Sequence, residues 1–156
     1  MTDRIEIKLL IEKNWERTTV YIKCRERNDD VEAIIKAVQA YSDSAFPPIM
    51  AYCDEEMEYV PQRRIIRLYI HNRKVMIETL DKTYEIRKPL HEIEENLDKA
   101  RFVRISQSET INLRKVKKFD FSLAGTIRVE LENGENTYVA RRRVKDLKKL
   151  LTAVNL

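Results

Sequence analysis

Three short clusters in this 156-residue sequence gather side chains suited to phosphate oxygens and base edges. The first is His71-Asn72-Arg73-Lys74. The second runs from Arg104 to Ser108 and includes Ser106 and Gln107. The third is Arg141-Arg142-Arg143 with Lys145. Arginine forks match phosphate oxygens and the O6/N7 edge of guanine, and Gln or Asn can pair bidentately with adenine. Serine hydroxyls and helix N-termini hold backbone phosphates. An arginine triplet opening a helix is also a poor choice for stability, because positive charge there opposes the helix dipole by a few tenths of a kcal/mol or more per residue. At this level two readings stay open. One is a surface that binds a polyanion. The other is a solvated charged surface, with Arg141 and Arg143 pointing outward from a strand that has not yet ended.

Other chemistries are poorly served. The only glycines are Gly125 and Gly134, so neither a phosphate-cradling P-loop nor a dinucleotide fingerprint can be built. Neither Ser106 nor Ser108 sits in a nucleophile elbow. His91 and Glu95 could share a helix face four residues apart, but "HEIEE" is not HExxH and no third ligand is evident, so an amphipathic helix is the better reading. Cys24 and Cys53 lack CxxC spacing and a nearby histidine, and read as buried free thiols in a reducing cytoplasm. No enzyme activity, metal or cofactor is expected.

The charge is abundant and uneven. Asp, Glu, Lys and Arg make up 36% of the chain, and the net charge is +4. Residues 1–55 hold 8 basic and 11 acidic side chains, leaving 22 of the 30 basic and 15 of the 26 acidic ones to residues 56–156. A basic C-terminal part suggests a polyanion partner for that part. The apolar run "IKLLI" is too short and too closely flanked by charge for a signal peptide, and nothing approaches a membrane span, so a cytoplasmic protein is expected.

The elements that must carry the clusters follow from periodicity. Residues 4–11 and 18–24 alternate as two antiparallel strands, and "NDDVEAIIKAVQAY" has helical spacing at Val31, Ile34, Ile35, Val38 and Tyr41, with Asp29 and Glu32 as an Asp form of the capping box. This gives a small β-β-α region within residues 1–55. "SDSAFPP" is a connector. "IMAYC", "RIIRLYI", "KVMIETL" and "TYEIR" are short strands, with a turn at His71-Asn72-Arg73. "KPLHEIEENLDKA" is a short helix with Leu90, Ile93 and Leu97 inward. Asn133-Gly134 closes a tight hairpin whose first strand turns Ile127, Val129 and Leu131 to one face. "RRRVKDLKKLLTAV" is a closing helix with Val144, Leu147, Leu151 and Val154 inward.

Beyond this chemistry, "RFVRISQSETINLRKVKKF" followed by "GTIRVELENGENTYVARRRVKDLKKLL" resembles the LytTR DNA-binding domain of bacterial transcription regulators. The resemblance starts near "VPQRRIIRLYIHNRKVMIET" and runs to about Leu151, close to two thirds of the chain. Phe102, Arg104, Ser108, Ile111 and Asn112 carry its most specific spacing. It implies an α+β, mainly β fold of stacked short antiparallel sheets with two short helices over residues 56–156, preceded by the β-β-α region, and no helix-turn-helix. It also implies loops at one end that enter successive major grooves of double-stranded DNA, at paired direct repeats. The contacts implied are Lys74 in the first loop, Gln107 in the second and Arg142 in the third. Arg73, Ser106, Ser108, Arg141, Arg143 and Lys145 would hold the backbone, and Arg104 belongs to the second, DNA-facing loop. Phe102, Ile105, Ile111 and Leu113 read as core, and Asn112 as a residue satisfying buried backbone groups at a turn.

The sequence departs from the family pattern where Ser106 and Gln107 replace a common His followed by Lys or Arg. Glu109 replaces an aromatic or small residue. A carboxylate there would repel phosphate unless it pairs with a neighbour such as Arg104 or accepts from cytosine N4. Residues 1–55 are too few for the receiver domain of a response regulator, so the chain resembles the stand-alone members. Residues 1–41 are expected to mediate self-association into a homodimer or to meet a regulatory partner. A membrane-protein inhibitor is implied by family analogy alone. The alternative to DNA is an acidic protein or RNA bound to the basic face.

Overall fold

The computed structural model describes residues 20–154 and, ahead of them, Glu6, Lys8, Leu9 and Ile11. The first expected strand, 4–11, lies mostly outside the described residues, as does the start of the second. The rest of the second, residues 20–24, carries no strand. Among the described residues no strand pairs with this segment, and its Val20 and Tyr21 are exposed; an unpaired alternating segment is marginal as a strand in water. Cys24 is accordingly exposed and Cys53 half-buried, not the two buried thiols expected.

The helix that follows is α1, Asp29–Ala45, which absorbs the start of the expected connector. Its cap is Asn28, one residue before the expected Asp29. The Asn28 Oδ1 accepts from the Val31 N–H at 3.0 Å, and its carbonyl accepts from the Glu32 N–H. Asn serves this role as well as Asp, and the Glu32 carboxylate instead pairs with Arg27.

Seven strands then build one antiparallel sheet: β1 (Ile49–Cys53), β2 (Glu56–Val60), β3 (Arg67–His71), β4 (Lys74–Glu78), β5 (Thr83–Ile86), β6 (Phe102–Ser106) and β7 (Glu109–Asn112). Their spatial order is β2-β1-β5-β4-β3-β7-β6. Strand β2 is a strand that the apolar rhythm does not announce, because "EMEYV" is an edge strand with charged Glu56 and Glu58. It pairs residue for residue with β1, so the sheet joins residues on both sides of position 55. A second sheet holds β8 (Val116–Asp120), β9 (Arg128–Leu131) and β10 (Asn136–Tyr138), in the order β10-β9-β8. Helix α2 (Leu90–Glu95), helix α3 (Arg141–Val154) and two single 3-10 turns, Gln62–Arg64 and Leu113–Lys115, complete the described elements.

The pleat divides the apolar side chains into two cores. Leu68, Val75, Ile77, Tyr84, Ile86 and Phe102 face α2, which contributes Leu90 and Ile93, with Leu97 just beyond its end. On the other side Ile66, Ile105 and Ile111 meet Ile127, Val129 and Leu131 of the second sheet and Leu147 of α3. Val144 and Leu151 lie half-buried against this core as expected; the Val154 side chain lies outside the described residues. Asn112 is fully buried, donates to the Ile65 carbonyl at 2.8 Å and accepts from the Arg114 N–H at 3.0 Å, which is the turn-satisfying role expected for it. The β9–β10 hairpin turns through Gly134 at φ +87°, a left-handed position suited to glycine. The result is the α+β, mainly β architecture of two antiparallel sheets.

Candidate nucleic-acid interface

The three clusters come to one end of the molecule through backbone pairing. His71 pairs with Lys74, closing a two-residue turn at Asn72 and Arg73. Both turn residues have positive φ, 50° and 63°, as the tight turn matching strand twist requires. Ser106 pairs with Glu109, closing a second two-residue turn at Gln107 and Ser108. Strand β3 runs antiparallel beside β7, and the Ile70 N–H donates to the Ser108 carbonyl at 2.9 Å. The two turns are therefore neighbours. With strands about 4.8 Å apart, the centres of the two hairpins lie roughly 10 Å from one another. The third cluster is docked by the Ala140 N–H, which donates to the Ile105 carbonyl at 2.8 Å. That bond sets the start of α3 beside the end of β6. Arg141 begins a helix, so the strand alternative for the triplet is excluded.

Each expected residue has a distinct setting in this row. Gln107 and Ser108 are exposed at the tip of the second turn. The Ser106 hydroxyl accepts from the Ser108 N–H at 3.2 Å and so shapes the turn from within. Arg73 is exposed at the tip of the first turn, whereas Lys74 stands at its base and reaches the Glu85 carboxylate at 3.2 Å. That pair is largely exposed and weak by nature. Arg141, Arg142 and Lys145 are exposed and Arg143 is half-buried. The Arg141 side chain lies across Gly125: a Cβ at that glycine would stand 3.4 Å from the Arg141 Nε. Arg104 is different. Its guanidinium donates inward, from Nε to the Ser106 carbonyl at 2.8 Å, from Nη2 to the Gln107 carbonyl, and from Nη1 to Glu94. It supports the second turn from below.

A family model described as the LytTr DNA-binding domain matches residues 55–152. The chain belongs to the LytTR DNA-binding domain family. It is also 28% identical over 148 residues to proteins of Staphylococcus aureus strains NCTC 8325 and COL named as uncharacterized HTH-type transcriptional regulators, covering 95% of this chain and 99% of each relative. Its fold is similar to a LytTr DNA-binding domain from Bacillus cereus, with a TM-score of 0.64 and 22% identity over 67% of this chain and 95% of that one. DNA binding in the service of transcription regulation is the function that the family match and these relatives support. The helix-turn-helix of the relatives' name has no counterpart among the described residues here, where strands separate all three helices.

The departure at Glu109 is explained within this LytTR domain by a residue that sequence reading passed over. Glu109 pairs with Arg67, not Arg104. The Arg67 Nη1 lies 3.1 Å from the Glu109 Oε1, and its Nε meets Glu78. The other Glu109 oxygen accepts from the Thr137 hydroxyl at 2.6 Å, and Glu78 accepts from the Asn133 side chain at 2.7 Å. Thr137 and Asn133 belong to the second sheet's hairpin, so this network ties the two sheets together, reaching from Glu109 beside the second turn to the Arg67–Glu78 pair at the far end of the β3–β4 hairpin. Burial acts to lower the Arg67 pKa, and the Glu78 and Glu109 carboxylates outweigh it, so the net shift is upward. The Glu109 charge is thereby neutralised and turned away from the turn tips. The one available signal was a charged residue in the middle of the apolar strand "RIIRLYI". Lys115, Lys117 and Lys118, also basic in sequence, pair with Glu132 and Glu130 across the second sheet.

Among the described residues no group of three or more His, Cys, Asp or Glu side chains is placed to hold a metal ion, and no helix is long and apolar enough to cross a membrane.

Proposed function

We propose that this LytTR protein reads double-stranded DNA by laying the row of three loops against major grooves. Gln107 and Arg142 would meet base edges, with Lys74 at the base of the first loop reaching a phosphate or guanine. Arg73, Ser108, Arg141, Arg143 and Lys145 hold phosphates, while Ser106 and Arg104 keep the second loop in shape. The observation that carries this reading is the convergence itself. Two backbone hydrogen bonds, Ile70 to Ser108 and Ala140 to Ile105, bring clusters separated by up to seventy residues of sequence to one end. At that end Arg104 is committed inward to Glu94, Lys74 is held only by a largely exposed pair with Glu85, and Arg73, Arg141 and Arg142 are exposed. The protein acts in the cytoplasm without a catalytic role, and two copies associated through residues 1–41 occupy paired direct repeats.

Titration with a duplex carrying a paired direct repeat, a scrambled duplex and a hairpin RNA tests the reading. The repeat duplex is expected to bind tightest. Its log K should fall with log salt by about 0.9 for each phosphate neutralised. Equal binding to all three nucleic acids would instead favour a basic surface for RNA or acidic proteins.

A further inference from the structure

Glu94, on helix α2, is not part of the loop row, yet its carboxylate is joined to the strands of the second loop. The Glu94 Oε1 accepts from the Arg104 Nη1 at 2.6 Å and from the Thr110 hydroxyl at 2.7 Å. The same guanidinium uses its remaining sides on the Ser106 and Gln107 carbonyls. Arg104 and Glu94 are only 23% and 28% exposed at their side chains. The turn at Gln107 is thus held by a fork whose direction Glu94 sets. Strand β6 also carries a bulge between Arg104 and Ser106, with Ile105 as the extra residue. The ladder alone therefore fixes this turn less firmly, and a side-chain brace has something to do.

We propose that Glu94 is a positioning residue for DNA sequence reading: acting through Arg104, it fixes the Gln107 turn and keeps the Arg104 charge from DNA phosphates. The inference rests on the reading of the second loop as a DNA contact. Its chemistry has two consequences. A guanidinium anchored by a carboxylate and two carbonyls presents the turn in one conformation, and recognition needs that precision because a bidentate base contact is directional. A guanidinium relieved of its carboxylate keeps its positive charge and becomes free to seek another anion. Removing Glu94 therefore should lower discrimination while adding a phosphate contact, an opposite pair of effects that mere loosening of the fold would not produce.

The test uses the full chain and a duplex enriched by the unaltered protein from a random-sequence pool, beside a scrambled duplex, over a range of salt. Glu94→Ala is expected to cut the ratio of enriched to scrambled affinity about tenfold, within the range of one bidentate base contact. Binding to scrambled duplex should hold or tighten, with a salt slope steeper by about 0.9. Glu94→Gln, which keeps an acceptor for Arg104 and Thr110 with little change of shape, should retain most of the ratio. In a Gln107→Ala background, Glu94→Ala should lower the ratio no further, because the two act through one turn. The proposal is overturned if Glu94→Ala weakens both duplexes equally, or lowers the ratio just as much when Gln107 is already Ala. If Gln107→Ala lowers the ratio and Glu94→Ala does not, the brace fails and the second-loop reading stands. If Gln107→Ala itself changes nothing, the second-loop reading and the brace fail together.

Discussion

Arg142 stands second in α3 with its side chain exposed, in a first turn that holds three arginines and no acid. Each of these charges opposes the helix dipole. Under the proposed reading the cost is accepted because a guanidinium at this point can fork onto guanine. Arg142→Ala should then weaken binding to the preferred duplex by about 1–3 kcal/mol and relax preference at one base position. Thermal stability should hold or rise slightly, by a few tenths of a kcal/mol. Lys145→Ala, by contrast, should weaken every duplex alike and reduce the salt slope by about 0.9. Anisotropy titrations and thermal melts measure both; unchanged affinity and preference in Arg142→Ala would remove that residue from the interface. The clusters themselves were legible in the sequence because Arg, Gln, Ser and Asn stand where strands end. What could not be read was which cations were already committed. Arg104 and Arg67 look as available as Arg142 until packing brings Glu94 to one and Glu78 and Glu109 to the other. Those partners lie 10, 11 and 42 residues away in sequence, on other elements.

The β3–β4 hairpin shows the same trade at the level of an element. Its two-residue turn needs positive φ at both centres, for which glycine is the favoured second residue, and the chain places Arg73 there at φ 63°. A non-glycine residue in the left-handed region costs about 1 kcal/mol. Arg73→Gly is therefore expected to raise the stability of the domain by up to about 1 kcal/mol while lowering its affinity for duplex DNA. A melt and a titration on the same variant decide it. Loss of stability would mean that the side chain holds the fold together. An unchanged affinity would place the turn tip away from DNA. The hairpin itself was foreseeable, since "LYIHNRKVMIET" alternates around polar turn residues, and so were α2, α3 and the Asn133-Gly134 turn. Strand β2 was not, because its regularity lies in pairing with β1 and not in an apolar rhythm. The pattern at 20–24 alternates well, yet those residues carry no strand and no described strand pairs with them.

At the scale of the whole molecule, the two cores sit within the sheets and under α2 and α3, while α1 keeps an apolar stripe toward solvent. Val38 is 39% exposed and Tyr41 76% exposed, and Ile34 and Ile35 are only half-buried on the same helix. An amphipathic helix usually covers such a stripe. The proposed self-association through residues 1–41 does so with a second copy, and it suits a paired DNA site. Once one domain is bound, its partner's search for the adjacent repeat becomes intramolecular, which can multiply affinity by 10² to 10⁴ without a new contact. Light scattering on the full chain should report twice the 18.6 kDa chain mass. Val38→Asp combined with Tyr41→Ser should report a single chain. On a duplex with one repeat the variant should bind as the unaltered protein does, because α1 contributes no residue to the loop row. On a duplex with two repeats it should lose at least about 100-fold. Monomers in both proteins would end the self-association proposal. An equal loss on one repeat and two would show that the substitutions act on the DNA-binding fold and not on a contact between copies.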